Sequence, residues 1–422
     1  MRLPCQWMAL LSVSAASLIG CGGENTTPSA QLGEASVVET KPVSNLPPTT
    51  SITVPAPELT VDPDDLPIKP PEPGSPEAIV MEMTQLWLKP FADTDDVEKQ
   101  RVARRERNEQ IVGLAKEVIA KTNKDPEKEQ VFNIAVHRLM EATFQLAMQG
   151  DQDGVEALYQ NANDLFKKKP KSKAAAEAAW FVAKFANENA IRFAESETRW
   201  VKEFARQARS FADKFPQDQN RAIGLLNDAG ASCDFYGLRD DAMQCYGTIR
   251  QKFPESPQAE QVVAPLRRLN LPGSKVDLGG PTIEGGFISV EELKGSPVLV
   301  VFWSTEAKPF VEQSKSLIAT THKFEAKGLH VIGVNLDSDE SAIDTFAEKS
   351  GMSWRNIFHA DPAKRGWSSP IATYYGVQIV PQMWLINTEG IVISTGVLPK
   401  DLDAELTKLV GTQKVASKPA VQ

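Results

Sequence analysis

Cysteine is scarce in this chain: four among 422 residues, at Cys5, Cys21, Cys233 and Cys245, with none beyond Cys245. Two of them lie in the N-terminal leader, which leaves two for the folded part and excludes a scaffold built on disulfides. Histidine is equally thin, and His137, His322, His330 and His359 are scattered without ligand spacing. No metal site and no cofactor is expected from them. Basic residues are outnumbered, with 46 Lys and Arg against 55 Asp and Glu and a formal net charge of -9. Nucleic acid is therefore not an expected partner, because phosphate contacts need a basic face. The short run Lys167-Lys168-Lys169 reads as a solvated helix end. No stretch reaches 18 consecutive apolar residues, so no transmembrane helix is expected.

What is present is an ordinary globular composition, 41% hydrophobic and 24% charged, long enough for two or three domains. The first 20 residues have the parts of a secretory signal: Arg2, then an apolar core from Met8 to Ile19, too short to span a bilayer. The core runs into Leu18-Ile19-Gly20-Cys21, which resembles the lipobox of bacterial lipoproteins. That resemblance implies cleavage before Cys21, lipidation of its thiol and anchoring of the chain on the membrane; an ordinary secretory signal is the alternative. Gly22 follows, with no acidic retention residue, so the outer membrane is the expected address if the cell is Gram-negative. Residues 21–75 are rich in Pro, Thr, Ser and acidic residues, as in Lys69-Pro70-Pro71-Glu72-Pro73-Gly74. They lack the apolar density to offset chain entropy. A coil of that length spans roughly 40 Å and reads as a tether.

From residue 76 to 272 the periodicity is helical. Leu158, Ala162 and Leu165 precede Lys169-Pro170; Phe204, Ala208 and Phe211 precede Phe215-Pro216; Ala242, Tyr246 and Ile249 precede Phe253-Pro254. Steps of four and three place each set on one helix face, and the residue before each proline is pushed out of the α region. The prolines recur at intervals of 46 and 38 residues, near the period of two-helix repeats. The last unit, from Gly237 to Ser256, looks like a degenerate tetratricopeptide repeat; an irregular bundle fits as well. Cys233 and Cys245 fall in this part, either as a disulfide across the turn at Gly237 or as a buried pair of free thiols.

Residues 273–285 read as a loop, and a second pattern follows. Pro297-Val298-Leu299-Val300-Val301-Phe302-Trp303 is an apolar run suited to a strand buried on both faces. A helix from Pro309 to Ala326, a strand from Leu329 to Val334 and a helix from Ser341 to Lys349 come next. A hairpin then joins Met383–Ile386 to Ile391–Ser394, and a last helix covers Leu402–Val410. This order predicts a mixed sheet covered on both faces. The fold class is thus multi-domain: an all-α domain of helical hairpins, then an α/β domain over 280–411, then a disordered tail over 412–422.

That α/β part resembles the thioredoxin fold of the TlpA and ResA type, redoxin (AhpC/TSA-like) thiol–disulfide oxidoreductases tethered in the cell envelope. The landmarks stand in order: Leu299 to Trp303; Val334-Asn335-Leu336-Asp337; Gly366-Trp367; Tyr375-Gly376-Val377-Gln378-Ile379-Val380-Pro381; and Asn387-Thr388-Glu389-Gly390. In the family, Phe-Trp is followed by two residues and then Trp-Cys-Gly-Pro-Cys. This chain reads Phe302-Trp303-Ser304-Thr305-Glu306-Ala307-Lys308-Pro309-Phe310. Pro309 survives, but Ala307 and Phe310 stand where the nucleophilic and resolving cysteines would be. Exchange needs a thiolate attacking a sulfur, and peroxidase chemistry of the related peroxiredoxins needs one too. No catalytic residue is therefore expected here. Thiol chemistry through Cys233 and Cys245, or through a partner's cysteines, is the alternative. The resemblance also implies a cis peptide before Pro381, with Val380 offering its main chain to an extended polypeptide. Phe310 either adds apolar surface to that groove or plugs the former site. The expected role is binding of protein or peptide partners in the cell envelope.

Overall fold

The computed structural model describes residues 71–91 and 96–416, with side chains to 411. The leader, Cys21 and all but the last residues of the tether lie outside the described residues. Ten helices come first: α1 (Pro76–Leu88), α2 (Val97–Thr122), α3 (Glu129–Met148), α4 (Gln152–Lys168), α5 (Lys173–Phe193), α6 (Arg199–Lys214), α7 (Gln219–Phe235), α8 (Arg239–Lys252), α9 (Pro257–Gln261) and α10 (Val263–Leu269). None of the described helices is long and apolar enough to cross a membrane.

The three proline signals produce one and the same turn. Lys169, Phe215 and Phe253 each cap a helix at φ -141, -130 and -129°, outside the α region from which a following proline pushes its neighbour. Their N–H groups donate to Leu165, Phe211 and Ile249, the third member of each apolar set. Three residues on, Ser172, Asp218 and Ser256 donate back to the same three cap carbonyls at 3.0 Å. The next helix then starts; Ser172 and Ser256 cap it with their hydroxyls, satisfying orphan N–H groups. The helices pack as neighbouring antiparallel pairs, α3 on α4, α5 on α6 and α7 on α8. Phe204, Ala208, Phe211, Ala242, Tyr246 and Ile249 are all buried in one core there.

The C-terminal part contains β1 (Gly279–Pro281), β2 (Phe287–Ser289), β3 (Val298–Trp303), α11 (Lys308–Glu325), β4 (His330–Asn335), α12 (Glu340–Ser350), β5 (Arg355–Ile357), α13 (Pro370–Tyr375), β6 (Gln382–Ile386), β7 (Val392–Ser394) and α14 (Leu402–Ala416). The five-stranded sheet runs β5-β4-β3-β6-β7, with β3, β4 and β5 parallel and β6 and β7 antiparallel. All six residues of β3 are buried. Leu299, Val301 and Trp303 face a core with α11 and α14, while Val298, Val300 and Phe302 face one with α13 and β2, the period of two that a strand imposes.

Two departures from the sequence reading concern the sheet edges. The segment expected as a loop over 273–285 holds β1 and an edge pairing. Gly273 N–H donates to Val392 O (2.8 Å), Val392 N–H to Ser274 O (2.9 Å), and Lys275 bridges Ile391. At the other edge Phe358 N–H donates to Pro281 O. Both edges are thereby covered through main-chain groups, which residue type does not announce. In addition α14 continues to Ala416, beyond the expected boundary at 411.

Candidate functional site

β3 ends at Trp303, and the chain turns through Ser304–Glu306 into α11, whose N-cap is Ala307. One buried carboxylate organises that turn. Asp337, just after β4, accepts from the Ser304 hydroxyl (2.5 Å), from the Thr305 N–H at both oxygens (2.9 and 3.1 Å) and from Asn335 Nδ2 (2.8 Å). Ser304 Oγ in turn accepts from Glu306 N–H at 3.1 Å. The hydroxyl is thus committed in both roles and has no histidine beside it, so it is not poised as a nucleophile. Gly366 N–H donates to the Asp337 carbonyl at 3.2 Å, which brings the Gly366–Ser368 turn to the same place. Sequence reasoning marked Asn335 and Asp337 as landmarks without a role; their buried mutual bonding is what a bare motif cannot convey.

The two positions where the motif cysteines would stand differ. Ala307 is half-buried, touches the cores on both faces of the sheet and makes no side-chain cap. Pro309 occupies the first turn of α11, where its missing N–H costs nothing. Phe310 is fully buried, with its ring centroid 4.9 Å from Trp303 and 5.6 Å from Phe346. It belongs to the core under α11 and α14. Of the two expectations, the structure has the plug: Phe310 adds no surface to a groove.

The peptide bond Val380–Pro381 is cis, and Val380 is buried while Pro381 is half-buried. Register places them: Phe302 of β3 pairs with Gln382 of β6, so Pro381 adjoins the turn leading to Ala307. Among the described residues nothing hydrogen-bonds the main chain of Ile379 or Val380. Three exposed apolar side chains belong to the segments named here: Ile379 next to Val380, Trp367 in the Gly366–Ser368 turn that bonds Asp337, and Val311 on the first turn of α11. The arrangement offers main-chain donors and acceptors beside apolar surface, and no thiol.

The two thiols of the described chain lie elsewhere. Cys233 on α7 and Cys245 on α8 are free, fully buried and part of the helical core, not of either core that Ala307 touches. Their sulfurs lie 4.0 Å from the Val201 and Ala205 carbonyls, one turn apart on α6. Burial pushes the Cys245 thiol up to about 11 and Cys233 further, although the Arg209 guanidinium pulls both back in part. Such thiols are poor nucleophiles. His137 pairs with Glu177 at 2.9 Å and His322 lies 3.2 Å from Ser353. His330 starts β4 on the surface, and His359 has a buried Nε2 without a partner. Among the described residues no group of three His, Cys, Asp or Glu could hold a metal.

Residues 272–395 match the AhpC/TSA family. Similar proteins include the thiol-disulfide oxidoreductase ResA of Bacillus thuringiensis (strain Al Hakam), 27% identical over 111 residues, 26% of this chain and 60% of the relative. The ResA of Halalkalibacterium halodurans is 24% identical over 130 residues, 30% of this chain and 70% of the relative. This chain therefore spans 60% of the length of the first curated relatives it matches. Among solved structures, the thioredoxin domain of a thiol-disulfide oxidoreductase from Bacteroides vulgatus aligns with a TM-score of 0.30 and 23% identity, covering 33% of this chain and 97% of that one. The strand order and the position of the cis-proline describe a thioredoxin-like domain over residues 272–395, the segment that matches the AhpC/TSA family and is similar to the ResA thiol–disulfide oxidoreductases.

Proposed function

We propose that this chain is a lipid-tethered cell-envelope protein whose thioredoxin-like domain has given up thiol exchange and binds extended protein segments. The observation that carries the first half is the pair of replaced positions. Ala307 offers no nucleophile, and Phe310 fills the resolving position with a ring locked into the core. The domain has no cysteine of its own. Cys233 and Cys245 are buried with raised thiol pKa values, so they are no substitute. Support for binding comes from the main chain of Ile379 and Val380, which has no hydrogen-bond partner among the described residues, and from the exposed apolar side chain of Ile379 beside it. An extended segment added there gains main-chain hydrogen bonds and apolar burial together. Tethering rests on the lipobox resemblance at Cys21, and the helical hairpins, read as tetratricopeptide-like, would add a second protein-binding surface.

The test uses purified full-length protein in two assays. With insulin as the disulfide substrate, no turnover above background is expected; turnover abolished by Cys233→Ala or Cys245→Ala would overturn the redox half. Reduced, alkylated α-lactalbumin serves as an extended polypeptide probe. Saturable binding weakened at least about tenfold by Ile379→Asp supports the groove, and equal binding by the variant refutes it.

A further inference from the structure

The helical domain reaches the cis-proline segment through two consecutive arginines. Arg268 on α10 is 2% exposed. Its Nη1 donates to Asp234 Oδ1 of α7 at 2.9 Å, its Nη2 donates to the second oxygen, and its Nε donates to the Tyr375 carbonyl at 3.2 Å. Arg267 donates from Nη1 to the Tyr374 carbonyl at 2.5 Å and lies 3.9 Å over the Tyr374 ring. Both acceptors are the last carbonyls of α13, groups a helix leaves without internal partners. They sit at the negative end of its dipole, where a cation is favoured. Gly376 follows at φ +61°, and a Cβ there would stand 2.5 Å from the Pro265 ring of α10. The fit of the two domains at this point thus requires glycine on one side and a fixed α10 on the other.

A helix of six residues such as α13 has little stability of its own. Its C-terminus leads within five residues to Val380. Inside the domain it is held by Tyr375 packing edge-on against Trp384, ring centroids 5.1 Å apart, and by Val377 N–H on Ala372 O. Among the described residues, the side-chain donors to its last two carbonyls come from α10. Asp234 pairs with and orients the buried guanidinium, since an unpaired buried charge is strongly unfavourable.

We infer that Arg268, oriented by Asp234 and assisted by Arg267, is a positioning residue for the Gly376–Val380 segment, so that the helical domain fixes the polypeptide-binding edge of the thioredoxin-like domain. The inference rests on the reading of that edge as a binding site, and its first readout does not need a ligand. Native-state hydrogen exchange of the full-length protein is compared among wild type, Arg267→Ala and Arg268→Lys. Arg267 is only half-buried, so its variant keeps the test alive if Arg268→Lys does not fold. The amides of Thr373, Gly376 and Val377 should exchange roughly tenfold to a hundredfold faster, the effect of one lost charge-assisted bond. Those of β3, β4 and α5 should stay unchanged. Unchanged exchange at 373–377, or a uniform rise across the domain as for a merely structural residue, overturns the inference. In the second arm, affinity for reduced, alkylated α-lactalbumin should fall in Arg267→Ala in step with the exchange. If 373–377 loosen while wild type binds no probe at all, the positioning stands and the groove reading is what fails.

Discussion

Replacing Phe310 by alanine separates a plug from a binding surface. The ring is fully buried between Trp303 and Phe346, in the core that also holds Leu317, Leu402 and Leu406. Removing a buried phenylalanine costs about 3–5 kcal/mol from lost burial and the cavity left behind. The tilted ring contacts at 4.9 and 5.6 Å place this site toward the upper part of that range. Phe310→Leu keeps most of the volume and should cost less than about 1.5 kcal/mol. Seven of the chain's eight tryptophans fall in the described residues of both domains, so bulk fluorescence would blend two transitions. Hydrogen exchange read on fragments covering β3 and α11 avoids this, and a loss of about 4 kcal/mol accelerates exchange there by roughly three orders of magnitude. Binding of the extended polypeptide probe by the folded variant should persist. A loss under about 1 kcal/mol together with abolished binding would mean that the ring faces a ligand, and the plug would be wrong.

Three further outcomes follow from the same geometry. Asp337→Ala strands the Thr305 N–H and the Ser304 hydroxyl, so about 2–4 kcal/mol should be lost; a denaturant midpoint unchanged within error contradicts the bonding described. Native protein at pH 8 should not react with a maleimide at Cys233 or Cys245, both fully buried, whereas denatured protein should take up label at both; labelling of the native form at the rate of a free thiol refutes the burial. Burial raises the Cys245 thiol to about 11 on folding, so its stabilisation is complete below the ordinary thiol value of about 8.5. It is lost as the pH climbs towards 11, because only the unfolded chain releases the proton in that window. Unfolding midpoints measured at pH 8 and 10.5 should therefore drop further in wild type than in Cys245→Ala, and an equal drop speaks against it.

Legibility from sequence followed the physical origin of each feature. The run Val298–Trp303 and the three prolines at 170, 216 and 254 could be read because each acts locally: burial on both faces needs an unbroken apolar strand, and proline restricts its neighbour wherever it stands. The direction of Phe310 could not, since a side chain on the first turn of a helix meets either core or cleft depending on rotation that only the packing of Trp303 and Phe346 fixes. Asp337 was visible as a landmark, but its function as an acceptor depends on Ser304 and Thr305, more than 30 residues away. The Arg268–Tyr375 contact spans 107 positions and ends on a carbonyl, a group every residue carries. Main-chain acceptors and sheet-edge pairing of the kind seen at Gly273–Lys275 leave no compositional trace.

Only Pro309 of the family's five motif residues stands in this chain, with Glu306, Ala307, Lys308 and Phe310 at the other four positions, yet the turn into α11 keeps features that favour a thiolate. Ala307 is the N-cap of an 18-residue helix, and its own side chain leaves the first N–H groups of α11 without a cap. The helix dipole and those free N–H groups favour an anion there. The turn carrying Ala307 is pinned by Asp337 and does not need a cysteine to hold its shape. Ala307→Cys should therefore create a thiol that titrates below the ordinary value near 8.5 despite the neighbouring Glu306, with the exposed Lys308 assisting. The rate of alkylation by iodoacetamide against pH reads that titration directly, with Cys233 and Cys245 silent through burial. An apparent pKa at or above about 8.5 would show that the frame decayed along with the chemistry. A depressed one would show that the chemistry was lost without the frame, leaving a thioredoxin-like surface whose electrostatics still favour negative charge at the head of α11.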